Sequence, residues 1–144
     1  MGRREIIDRC RQHPLMRALR VGKESYAIVG QTLRAFAAQK HEEQIPIYRM
    51  LATTVGELRN RAETLASGTS ARVVESQAAL GGGTTPTESI PSIALELAGE
   101  AEATHGALLR NDPPIVGRIQ NDRLMLDLRT ILETDLEMVR AALL

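Results

Sequence analysis

At Gly68 the hydrophobic period of this chain changes, and that switch restricts it to a helical segment followed by a mixed α and β unit. Before it, apolar residues recur at spacings of three and four, as amphipathic helices require. After it they alternate, as strands with one face on a core require. With 144 residues, 43% of them apolar, the chain can bury one real core and is unlikely to hold two. The aromatics are Tyr26, Phe36 and Tyr48 alone, so any core beyond residue 50 must be aliphatic.

In the first part, residues 3–13 read as a helix with Ile6, Ile7 and Cys10 on one side. Pro14 ends it, because the residue before a proline is pushed out of the α region. Tyr26, Val29, Leu33, Phe36 and Ala37 predict a long amphipathic helix over 24–39. A polar break over 40–44 and a short apolar turn or helix over 45–51 follow. Thr54-Val-Gly-Glu57 is a capping box, in which hydroxyl and carboxylate each satisfy an orphan amide. It opens a helix to about residue 66, with Leu58, Ala62 and Leu65 inward.

In the second part, residues 71–77 and 92–97 read as strands, the latter half-buried with Ile93, Leu95 and Leu97 on one face. A short helix is expected over 100–110. Residues 115–120 and 123–128 form a hairpin turning at Asn121-Asp122, with Leu124, Leu126 and Leu128 facing one way. Thr134-Asp-Leu-Glu137 is a second capping box, opening a final helix with Leu136, Val139 and Leu143 inward. The sum is an α+β fold: a helical N-terminal arm over 1–44, then a small, mainly antiparallel sheet covered by helices over 45–144.

Formal net charge is zero but unevenly spread. Residues 1–23 hold seven cations against Glu5 and Asp8, a net +5, and the remainder balances them. Within that basic segment Pro14–Lys23 packs three cations and four large apolar residues into ten positions. Arg17 and Arg20 are three apart and share a face in a helical turn, which suits bidentate binding of a phosphate or carboxylate. A merely solvated charged face is the competing reading.

Other chemistry is sparse. Cys10 is the only cysteine, so a disulfide framework and a cysteine metal cluster are excluded, and it is expected to pack as a small hydrophobe. His13, His41 and His105 lack metal-ligand spacing. The Gly81-Gly82-Gly83 loop is not followed by Gly-Lys-Ser/Thr, so it is a hinge or tight turn rather than a nucleotide loop. No Ser/His/Asp or paired-carboxylate arrangement stands out, and neither a membrane-length apolar run nor a signal peptide is present. A cytoplasmic protein is expected.

Three segments together resemble one family: His13-Pro-Leu-Met-Arg-Ala-Leu-Arg-Val-Gly-Lys23, Leu80-Gly-Gly-Gly-Thr-Thr-Pro-Thr-Glu-Ser-Ile-Pro-Ser92, and Pro113-Pro-Ile-Val-Gly-Arg-Ile-Gln-Asn-Asp-Arg-Leu-Met-Leu-Asp-Leu-Arg129. Their content and order are similar to the C-terminal part of the bacterial L-seryl-tRNA(Sec) selenium transferases, or selenocysteine synthases. Ile45-Pro-Ile-Tyr-Arg-Met-Leu51 also fits. The resemblance implies a fold-type I pyridoxal-phosphate enzyme, with residues 45–144 as its small domain and the helical arm packed on its large domain. It implies conversion of seryl-tRNA(Sec) to selenocysteinyl-tRNA(Sec) with selenophosphate as donor, in dimer-based homo-oligomers up to decamers. It places the cofactor lysine upstream of the matched part, so that Lys23 and Lys40 are not that lysine and this chain by itself is inactive. It matches Arg17 and Arg20 to arginines that contact the anionic selenium donor. The family pattern usually has Asp where this chain has Gly22, a departure that touches a helix cap. A related lyase acting on a sugar-acid phosphate, and a stand-alone α+β interaction module, are the alternative readings.

Overall fold

The computed structural model describes residues 2–80 and 89–144, which form two compact units, 1–46 and 47–144. The Gly81–Thr87 loop therefore lies outside the described residues.

The first unit is helical: α1 (Arg4–Gln12), α2 (Leu15–Ala18), α3 (Lys23–Ala37) and α4 (His41–Gln44). As expected, α1 stops before Pro14, with His13 extended at φ −74° and ψ 135°. The His13 ring Nδ1 then accepts the Leu15 N–H at 3.2 Å at the start of α2. Helix α3 ends two residues earlier than expected, because Gln39 takes a left-handed φ of 53°. The Gln39 N–H donates to the Phe36 carbonyl and the Lys40 N–H to the Ala35 carbonyl, a Schellman closure of the last turn. Gly22, at the N-cap of α3, supplies no side-chain hydrogen bond, so this helix starts without a side-chain cap. The polar break forms the single turn α4, where the Phe36 and His41 rings stack at 4.7 Å. Among the described residues of this unit only Ala35 is buried; Ile6, Ile7 and Cys10 are exposed on α1, so the expectation of a packed cysteine fails.

The second unit holds α5 (Pro46–Ala52, its first residue in the preceding unit), α6 (Val55–Ala66), α7 (Ala101–Leu109) and α8 (Leu136–Leu143). Its sheet, of strands β1 (Arg72–Ala78), β2 (Ile90–Leu97), β3 (Arg118–Gln120) and β4 (Arg123–Asp127), runs in the order β1-β2-β4-β3, every pair antiparallel. The expected α+β class is what forms. The Thr54–Glu57 capping box closes in both directions, Thr54 N–H to Glu57 Oε2 at 2.8 Å and Glu57 N–H to Thr54 Oγ1 at 3.3 Å. Past Ser67, Gly68 turns the chain out of α6 with φ +83°, a conformation that costs glycine little.

Leu58, Ala62 and Leu65 of α6 meet Ile93, Leu95 and Leu97 of β2, Leu124, Leu126 and Leu128, and Val139 of α8 in one aliphatic core. Three readings need correction. Strand β2 is not half-buried: Ser92 and Ala94 are buried as well, because neighbouring strands set Ser76 and Val74 on one side and Asp127 on the other. The first hairpin arm is three residues, not six, because the Ile115 N–H is committed to the Leu108 carbonyl at the end of α7. The turn itself is as expected, with Asn121 and Asp122 at φ 52° and 57°, the left-handed pair a tight hairpin demands. The second capping box does not form. Residues Glu133–Asp135 make a 3-10 turn, Thr134 donates to Asp135 Oδ1, and α8 starts at Leu136 without a side-chain cap.

Candidate functional site

Arg17 lies in α2 and Arg20 lies beyond it, because α2 ends at Ala18 with Leu19 as its C-cap. The two guanidinium groups therefore do not share one continuous helical face, as their spacing alone suggested. Both residues are exposed, and among the described residues neither side chain makes a hydrogen bond or ion pair. Arg17 at the end of α2 and Arg20 just beyond it thus present two cations without internal acidic partners. Such groups retain their full capacity for an incoming oxyanion.

A second polar arrangement sits on the sheet of the second unit, on the face away from α6, and composition did not reveal it. Asp127, at the end of β4, is nearly buried, accepts three hydrogen bonds and pairs with one guanidinium. Its Oδ1 accepts the Ser92 hydroxyl and, at 3.1 Å, the Arg129 N–H. Its Oδ2 accepts the Ser76 hydroxyl at 3.3 Å and lies 3.6 Å from the Arg118 guanidinium. Arg118 in turn donates to the Ser76 hydroxyl and, at 3.1 Å, to the Gln77 carbonyl. Each residue reaches this cluster through register: Ser76 pairs with Ser92 across β1 and β2, and Asp127 pairs with Ala94 across β2 and β4. Two open cavities, of about 380 and 230 Å³, share Arg118 and Met125 as lining.

Chemically this cluster is closed. The Asp127 carboxylate is nearly buried and its oxygens are taken up by Ser76, Ser92 and the Arg129 amide, so it offers no open position to an external substrate. Ser92 is 2% exposed, so it is no nucleophile for an external substrate. Arg129 is likewise buried, with its guanidinium donating to the carbonyls of Met50, Thr53 and Pro91. The cluster joins Ser92, Arg118 and Asp127 from the second and third quoted motifs, so those segments meet in space as a structural knot. Their separation in sequence, 35 residues between Ser92 and Asp127, is why spacing arguments missed it.

Among the described residues no group of three or more His, Cys, Asp or Glu is placed to hold a metal ion. Nor is any helix long and apolar enough to cross a membrane. Among the described residues the buried Nε2 of His105 has no hydrogen-bond partner.

The family model of L-seryl-tRNA selenium transferase matches residues 1–132. The chain is 36% identical to the L-seryl-tRNA(Sec) selenium transferase of Nitratidesulfovibrio vulgaris, over 99% of this chain and 33% of that relative. It is 34% identical to the enzyme of the same name from Campylobacter concisus, over 95% of this chain and 31% of that one. With the Moorella thermoacetica enzyme of that name it shares 36% identity over 99% of its length and 33% of the relative's. The chain therefore spans about a third of the length of the curated relatives it matches.

Proposed function

Since this chain belongs to the L-seryl-tRNA selenium transferase family, we propose that it is the C-terminal portion of an enzyme converting seryl-tRNA(Sec) to selenocysteinyl-tRNA(Sec). The observation that carries this reading is the family match from residue 1 to residue 132, which takes in the basic segment, the sheet and the hairpin. In that enzyme residues 45–144 are the small domain, and residues 1–44 are an arm on the large one. The working protein is a cytoplasmic homo-oligomer built from dimers, up to a decamer.

Pyridoxal phosphate, the cofactor that the resemblance implies, would act as the electron sink for replacing the seryl hydroxyl. A Schiff-base lysine needs a desolvated amine. Lys23 and Lys40, the only lysines of the chain, are both exposed. They do not fit, and the contribution of this chain is anion binding without covalent cofactor chemistry. On its own it is inactive.

Arg17 and Arg20 are the residues we assign to that task. Selenophosphate carries several anionic oxygens, and planar guanidinium forks bind such groups in a fixed orientation. A donor held this way meets its acceptor without paying the full entropy of a chance encounter. The experiment is Arg17→Ala and Arg20→Ala in the full-length protein. Each should lower selenium transfer at least about tenfold at limiting selenophosphate, with seryl-tRNA binding unchanged. Normal transfer with both arginines removed would show the assignment to be wrong.

A further inference from the structure

Helix α2 is a single turn, and its first two amides both end on one residue. Pro14 has helical dihedrals, φ −55° and ψ −32°, and no N–H to satisfy, while His13 before it is extended at ψ 135°. His13 therefore stands in the capping position. Its ring Nδ1 accepts the Leu15 N–H at 3.2 Å, and its carbonyl accepts the Met16 N–H at 2.9 Å. The Arg17 N–H then reaches the Pro14 carbonyl at 3.3 Å, and the Leu19 N–H reaches the Leu15 carbonyl at 2.8 Å. One turn makes too few hydrogen bonds to hold itself. Leu15 and Met16 are 56% and 47% exposed, so burial within this unit does not hold it either. That leaves the fixed φ of Pro14 and the His13 cap, and the turn they order carries Arg17.

We propose that His13 is a positioning residue for selenium transfer: its imidazole caps α2 and so fixes the backbone from which Arg17 reaches the anionic donor. The inference rests on the reading of Arg17 as a donor contact. An Nδ1 that accepts an N–H carries no proton, so the cap is a neutral group. Aspartate, a common cap, would set a carboxylate four residues before Arg17, where it would compete with the donor's oxygens for the guanidinium. A neutral cap keeps the turn closed and the cation open to its ligand. Contact of His13 itself with the donor is the competing role, and it makes the opposite demand. A cation serves an anion contact, whereas the cap needs an uncharged acceptor.

The test measures kcat and the KM for selenophosphate in the full-length protein. His13→Ala should raise KM at least about threefold with kcat kept, as expected when loss of a cap bond lowers the population of the binding-competent turn. His13→Asn restores a neutral acceptor and should bring KM back to within about twofold, whereas His13→Arg should not. In an Arg17→Ala background His13→Ala should have little further effect, because the cap acts through that arginine. The inference is overturned if His13→Ala leaves KM unchanged while Arg17→Ala raises it. It is overturned if His13→Arg restores KM and His13→Asn does not, which makes the imidazole a direct contact, or if the two alanine effects simply multiply. A fall in kcat at fixed KM also overturns it, since that marks only a smaller folded fraction. Indifference of the enzyme to Arg17→Ala is a separate result: it refutes the functional reading, and the inference falls with it.

Discussion

The Arg129 guanidinium donates to the Pro91 carbonyl at 2.7 Å, tying the turn after β4 to the entry of β2 across 38 positions. Through its other nitrogen it holds the Met50 and Thr53 carbonyls, at 2.7 and 2.8 Å, at the C-terminal end of α5. Helix C-termini carry partial negative charge, so the cation is compensated there by backbone dipoles, and among the described residues no carboxylate pairs with it. One side chain thus fastens a helix end and two strands.

Removing it should be costly out of proportion to its size. Arg129→Met leaves three carbonyls without their donor, and the expected loss is about 2–4 kcal/mol. Urea unfolding of the isolated chain, compared with Arg129→Lys, measures it. The lysine variant should recover only part, since an ammonium cannot reproduce the fork that spans three acceptors.

Two glycines should respond in opposite directions to alanine. A Cβ on Gly117 would stand 2.7 Å from Leu124 Cδ1 and 3.0 Å from the Met125 carbonyl oxygen, so Gly117→Ala should destabilise by about 1–3 kcal/mol through overpacking of the hairpin. Gly30 has open space, and in the isolated chain Gly30→Ala should strengthen α3 by about 0.5–1 kcal/mol. Thermal unfolding followed by circular dichroism separates the two.

The capping box should make α6 sensitive to acid. The Thr54 backbone N–H, then the Thr54 hydroxyl and the nearby Arg61 charge, hold the Glu57 carboxyl below its usual range. A carboxylate whose pKa is lowered by folding adds stability above its unfolded pKa and loses it as pH falls through the folded one. Stability should therefore decline below about pH 4.5 with a component that Glu57→Gln abolishes. Unfolding midpoints of both proteins across that window provide the check.

Much of the architecture was legible because it depends on neighbours in sequence. The Thr54–Glu57 box, the Pro14 stop, the Asn121-Asp122 turn and the inward stripe of α6 each involve residues within four positions of one another, where propensity and local hydrogen bonds decide. Errors arose where a local pattern met a non-local competitor. Thr134 matched a capping box, yet a 3-10 turn occupied its position. Residues 115–117 read as the start of the first hairpin arm, yet Ile115 was claimed by the end of α7.

Composition and order by themselves determined that this chain is an α+β molecule with an aliphatic core and a basic, helix-breaking segment carrying Arg17 and Arg20. Period, capping and charge are properties of short stretches, so they can be read without coordinates. Only the tertiary structure decided that β2 is buried on both faces, that Asp127 gathers Ser76, Ser92, Arg118 and the Arg129 amide, and that Arg20 leaves the helix bearing Arg17. Those outcomes depend on register between strands dozens of residues apart and on where a backbone turn closes, and no local pattern carries that information.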